Sequence, residues 1–429
     1  MSAAETTWRA PTRAWPLVAA LLVMLSVGVA NAGNLAFNSW VGRALPPEEF
    51  GTYAVAFAVI SLGAVPINAI RLAVIKETAA SNGSTAAGAP DVFAAIGRYI
   101  NGWLPAVMLL VCAVALGAAL IAWLPLETGT TALLAVLILA TMLVVYADRG
   151  LLHGSLRLGS VSLSVLAEHI VRLGMFGALI VVLEGSEAPL IAILVGLFGA
   201  WLANRHFRMA SRYSPAAVTT AGKERSFAAT TAIFLIAYIA HTALFTADLL
   251  VAGLLFDGAG LGAYAALSIT ARILLFTNLG IAELILPVAA MRERAHLSSI
   301  ARSGLLGVLI PLPLLLAYVT FPHWSLSLFL GTDVSSFSSH LPVLAIAMYL
   351  LSLAGILLAF LLARGLGWPA AGLAATAALL EVVLLALHHD TPGQIVANVL
   401  IASSVYFVSL VSLAAWASSA GGRIKEGVA

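Results

Sequence analysis

Stretches of about twenty apolar residues, separated by short polar connections, follow one another along the whole chain, and they constrain it more than any motif does. A helix of that length crosses the hydrocarbon core of a bilayer, about 30 Å at about 1.5 Å per residue. Only 9% of the 429 residues are charged and 62% are apolar, whereas a soluble domain carries roughly 25% charged residues. A water-soluble fold is excluded. The chain is expected to be a multi-span membrane protein with little mass outside the bilayer.

The apolar windows predict twelve spans, near 15–41, 51–75, 103–124, 130–150, 159–183, 188–206, 229–255, 261–288, 302–321, 341–363, 369–387 and 394–418. Pro16, Pro66, Pro105, Pro287, Pro311, Pro313 and Pro369 are expected at ends or kinks. Lys and Arg then collect on alternate connections. Eighteen of the 21 share one side, from Arg9 and Arg13 through Arg71, Arg149 and the five between Arg205 and Arg225 to Lys425. Arg43 stands alone on the other side, and Arg172 and Arg272 fall within spans. This asymmetry predicts both termini in the cytoplasm and an even number of spans. Ala30-Asn31-Ala32 imitates a signal-peptidase site, but the apolar pattern continues to Val41, so cleavage is not expected.

The longest cytoplasmic connection lies between the sixth and seventh spans. It divides the chain into a six-helix lobe at 1–210, a linker at 211–226 and a second six-helix lobe at 227–429. Gly51-Thr52-Tyr53 at the start of the second span is echoed by Gly262-Ala263-Tyr264 at the start of the eighth. Two parallel halves place a substrate site between them, near the midplane. The expected fold is therefore an all-α polytopic membrane protein, with about twelve transmembrane helices in two six-helix lobes around a central cavity.

Ionisable residues inside spans are costly, so each of the few present needs a cavity, a partner or the interface. Glu168 and Arg172 on the fifth span are spaced i,i+4 and can pair, or Arg172 can point into the central cavity. His241 and Asp248 on the seventh are seven residues apart, on one face of a continuous helix, and are candidates for proton coupling. Arg272 on the eighth stands roughly 16 Å along the helix from Glu283, so its counter-charge is expected to be Asp248 or a bound anion. Asn31, Asn34 and Asn38 form a polar stripe on the first span, suited to interhelical hydrogen bonds or to the wall of a wet cavity. Arg71 can reach the cavity or snorkel to headgroups. Glu381 has no evident partner.

Phosphate loops, metal-ligand spacings and nucleophile elbows are absent from the sequence, so ATP hydrolysis, covalent catalysis and cofactors are not expected. His388, His389 and Asp390 cluster, but without a fourth ligand they read as a solvated loop. The single cysteine, Cys112, rules out an intrachain disulfide, and the net charge of +2 gives no footprint for nucleic acid.

The run Asn38 to Tyr53, NSWVGRALPPEEFGTY, resembles the first-loop signature of bacterial oligosaccharide flippases and polysaccharide biosynthesis proteins. These belong to the multidrug/oligosaccharidyl-lipid/polysaccharide exporter superfamily. Ala247 to Ala271, with Asp248 before Leu249-Leu250-Val251, then Gly262-Ala263-Tyr264 and Arg272, is similar to the corresponding seventh-to-eighth-span stretch of that family, and Pro287-Val288-Ala289 resembles its close. The resemblance implies alternating access by two lobes that flip a polyprenyl-diphosphate-linked oligosaccharide across the bacterial inner membrane, for cell-surface polysaccharides such as lipopolysaccharide. It implies membrane lipids, glycosyltransferases and a polysaccharide polymerase as partners. Arg272 and Arg172, with Arg71 behind them and Asn34 and Asn38 beside them, become the expected substrate contacts, since guanidinium groups suit a diphosphate. Asp248 and His241 remain the possible coupling residues. The alternatives are a cation-coupled multidrug antiporter of the same superfamily, in which acidic cavity groups matter more, and a membrane glycosyltransferase or polymerase.

Overall fold

A computed structural model describes residues 15–83, 129–154, 157–183, 185–210, 221–278, 281, 304–330 and 337–426. Helices account for nearly all of them. In chain order they are α1 (Trp15–Ala44), α2 (Pro47–Gly83), α3 (Gly129–Gly154), α4 (Leu158–Leu179), α5 (Glu187–Ala210), α6 (Ala221–Ala243), α7 (Ala247–Leu255) and α8 (Gly258–Thr277). They continue with α9 (Leu312–Thr320), α10 (Pro322–Leu330), α11 (Leu341–Ala363), α12 (Gly367–Leu387) and α13 (Pro392–Glu426).

Eleven of the twelve expected spans thus have a helix, α6 and α7 together making the seventh. The third, 103–124, lies outside the described residues together with Cys112, as do Glu283 and Pro287-Val288-Ala289. The expected linker at 211–226 is described only from Ala221, where its last residues already belong to α6. Eight described helices are long and apolar enough to cross a membrane, and each of two bent pairs makes a further candidate span. One pair is α6 with α7, bent by 46°; the other is the helical stretch 304–320 with α10, bent by 111°.

Local chemistry explains several ends. Pro47 starts α2 with Glu48 and Glu49 in the first turn, where a missing N–H costs nothing and negative charge meets the helix dipole. Thr391 and Gln394 cap α13 reciprocally, each backbone N–H bonding the other's side chain at 3.3 Å. Gly365, at φ +83°, lets the chain leave α11 in the left-handed conformation while Leu366 N–H returns to the Leu361 carbonyl. Pro66 sits inside α2 without ending it.

The outward faces carry Leu379, Val382, Leu387 and Val408, all exposed, with exposed Trp324, Trp368 and Trp416 among them. Such a surface is stable only against lipid, and the protein is a multi-pass membrane protein. Inside, α4 packs tightly on α5 because Gly196 and Gly199 present no side chain to Arg172 and Val171. Between the halves, α2 lies along α6 and α8, and α1 touches α8. The echoed glycines meet at this crossing. A Cβ on Gly51 would stand 2.8 Å from Leu261 Cγ and 3.1 Å from the Gly262 nitrogen, and one on Gly262 would collide with the Pro47 backbone.

Candidate functional site

A cavity of about 300 Å³ lies between the halves, walled by α1, α2, α7's approach and α8, with Ile310 closing one side. Asn31, Asn34 and Asn38 line it from α1, Ser61 from α2, and Arg272 and Thr277 from α8. The expected asparagine stripe and one of the two expected arginines therefore share a cavity. Phe57, Phe245 and Phe276 supply apolar wall that the sequence did not single out.

Arg272 finds the counter-charge expected of the preceding hairpin. Its Nη2 lies 2.9 Å from Asp248 Oδ1, while Ser268 (2.8 Å) and Tyr264 (3.3 Å) donate to Asp248 Oδ2. Asp248 is fully buried and is not among the lining residues. In the other half Tyr53 donates to Asn38 Oδ1 at 2.9 Å. The two echoed tyrosines thus do the same job on opposite sides, one holding a neutral amide and the other a carboxylate. Glu381, 1% exposed on α12, lies within electrostatic reach of Asp248 and Arg272, and among the described residues neither of its oxygens has a hydrogen-bond partner.

Several expectations are corrected. Arg172 does not line the cavity: it stands behind Asn34, donating to its Oδ1, with the guanidinium 4.7 Å from the Phe37 ring centre. Glu168 pairs not with Arg172 but with Arg149 of α3, at 2.8 Å, and Ser164 accepts from Arg149 Nε at 3.0 Å. Arg149, read as a loop charge, is buried because α3 continues past it to Gly154. Arg71 is also absent from the lining; half-buried, it donates to Asn68 at 3.3 Å and faces the Tyr146 ring.

His241 and Asp248 are separated by the bend at residues 244–246, where Thr246 Oγ1 donates back to the Thr242 carbonyl at 2.7 Å. A seven-residue spacing shares a face only on an unbroken helix, so His241 turns elsewhere, among the rings of Tyr238, Phe245 and Tyr406. Asn38 is occupied at both ends, since its Nδ2 also donates to the Asn34 carbonyl at 2.9 Å. Among the described residues, no group of three His, Cys, Asp or Glu could hold a metal ion.

No protein-family model matches the sequence, and no curated protein does. Solved structures match over nearly the full length. An outward-facing multidrug resistance MATE family transporter of the MOP superfamily is 15% identical over 94% of this chain and 96% of its own, with a TM-score of 0.67. A eukaryotic MATE transporter is 14% identical over 94% of each chain, at 0.67. A MOP superfamily transporter from Pyrococcus furiosus, described as having a binding pocket of reverse polarity that suggests a different function, is 16% identical over 92% of this chain and 94% of its own, at 0.67. This chain has the fold of the MATE transporters of the MOP superfamily.

Proposed function

We propose that the protein is a secondary transporter that moves an amphiphile with an anionic head across the membrane, the substrate class being a polyprenyl-diphosphate-linked oligosaccharide. The observation that carries this reading is the charge of the cavity. Among the described residues that line it, Arg272 is the one ionic group; the other polar groups are the amides of Asn31, Asn34 and Asn38 and the hydroxyls of Ser61 and Thr277, suited to sugar, and the rest of the wall is apolar, suited to a lipid chain. The carboxylate that balances Arg272 is turned away from the space a substrate would occupy. The solved structures it resembles are described as transporters, which accords with a chain that is not an enzyme. In this reading the protein works in the bacterial cytoplasmic membrane, alongside glycosyltransferases and a polysaccharide polymerase.

The second reading, a cation-coupled multidrug antiporter, is favoured by the comparisons, because the fold neighbours that name a substrate are multidrug resistance transporters. A fold hosts many functions, whereas the polarity of a site bears directly on its ligand. Asp248 and Glu381 are the acids such an antiporter would draw on near Arg272, and neither lines the cavity. Purified protein in vesicles should carry a labelled polyprenyl-diphosphate sugar between leaflets and leave an ethidium gradient unchanged. Movement of ethidium with no movement of the labelled lipid would assign the chain to the antiporters.

A further inference from the structure

We infer that Arg172 is a positioning residue: it holds the Asn34 amide so that the NH2 group, not the oxygen, faces the cavity, and this selects substrate groups that accept hydrogen bonds. The inference deepens the proposed function and rests on that reading of the cavity as an anion site.

The argument begins with donor and acceptor capacity. A guanidinium has only N–H donors, so the amide beside it must present its oxygen. Arg172 Nη2 bonds Asn34 Oδ1, which leaves Asn34 Nδ2 directed away from Arg172. Asn34 is half-buried and lines the cavity, and among the described residues its Nδ2 has no protein partner. The other two asparagines differ. Asn31 uses its NH2 on the Phe276 carbonyl, and Asn38 uses both ends on Tyr53 and the Asn34 carbonyl. Among the described residues, Asn34 therefore has the one NH2 of the stripe with neither hydrogen engaged, one residue type repeated three times with three fates.

Arg172 is built to stay in place. It is 5% exposed, its stem is pressed by Gly196 of α5, where a Cβ would stand 2.8 Å from Arg172 Cβ, and its face lies on Phe37. Phe37 is in turn held edge-on by Phe176, at 5.4 Å between ring centres. The donor it creates comes from the first half, and Arg272 supplies the donors of the second. The hydroxyls of Ser61 and Thr277 donate to their own helices, at 2.8 and 2.7 Å, and so offer lone pairs to the cavity. An oxyanion held between Asn34 and Arg272, with hydroxyl groups toward Ser61 and Thr277, satisfies both sets.

The test measures binding of farnesyl diphosphate, inorganic diphosphate and tetraphenylphosphonium to the full-length protein in detergent, together with the melting midpoint. Asn34→Asp keeps an oxygen for Arg172 but puts a second one where the NH2 stood. It should weaken farnesyl diphosphate at least about tenfold, strengthen tetraphenylphosphonium, and leave the midpoint unchanged. Arg172→Lys, also a pure donor, should bind like the parent, whereas Arg172→Gln, able to donate or accept, should weaken farnesyl diphosphate roughly threefold to tenfold. Inorganic diphosphate competing as well as farnesyl diphosphate identifies a free oxyanion as sufficient; farnesyl diphosphate alone identifies the lipid, and either agrees with the inference. Parent affinity retained in Asn34→Asp overturns the inference alone. A parent that binds neither diphosphate overturns the anion-site reading along with it.

Discussion

Asp248 accepts from Arg272, Ser268 and Tyr264 at a point with no contact to solvent, so Arg272 depends on it for its only ionic partner at bonding distance among the described residues. Removing one member of a buried pair strands the other, at a cost of roughly 3–5 kcal/mol, while removing both is often nearly neutral. Asp248→Asn should therefore lower the melting midpoint in detergent markedly. Adding Arg272→Met should recover most of the loss without recovering transport. Equal midpoints for Asp248→Asn and the parent would show that Arg272 is satisfied by other means. At this scale the Arg272 and Asp248 pairing was legible, because a hairpin with a short turn brings its two helices together. Arg149 with Glu168 was not, since the i,i+4 spacing of Glu168 and Arg172 offered a closer partner on the same helix than the one α3 delivers.

Helix crossings make the same contrast between local pattern and packing. Gly262 faces Pro47 backbone, which cannot move aside, whereas a Cβ on Gly307 would meet the terminal methyl of Ile356, which can rotate. Gly262→Ala should cost roughly 1–3 kcal/mol, and Gly307→Ala much less, as read by thermal melting of the two variants side by side. A Gly262→Ala protein as stable as the parent would mean that α2 and α8 part easily at this end. Arg43, exposed at the end of α1, donates to the Leu328 carbonyl of α10 and ties the two halves at the same level. Replacing it with Ala should speed labelling of a cysteine placed at Asn38 by a water-soluble maleimide; an unchanged rate would remove Arg43 from any gate. The echo of Gly51-Thr52-Tyr53 in Gly262-Ala263-Tyr264 suggested an internal repeat, but nothing in the sequence gave a hint that the two copies touch.

For the molecule as a whole, the charge asymmetry predicts that reporters fused within 184–187 and within 212–223 face opposite sides, the second with the termini in the cytoplasm. The reverse orientation would overturn the assignment of both halves. Helical class and the membrane-spanning character follow from residue order alone, because bilayer thickness sets a length that any helix must match and the backbone must satisfy itself within each span. The polar stripe of α1 and the need of Arg272 for a partner were readable for the same reason, since a polar group in hydrocarbon announces its own cost. What the tertiary structure alone decided is which polar groups face the cavity and which stand behind them. Arg172 and Arg272 are chemically alike and both lie within spans, yet one reaches the cavity wall and the other only the back of Asn34. The difference comes from how α4 and α8 rotate against their neighbours, and that rotation is set by glycines and rings on other helices, at separations in sequence that no local pattern records.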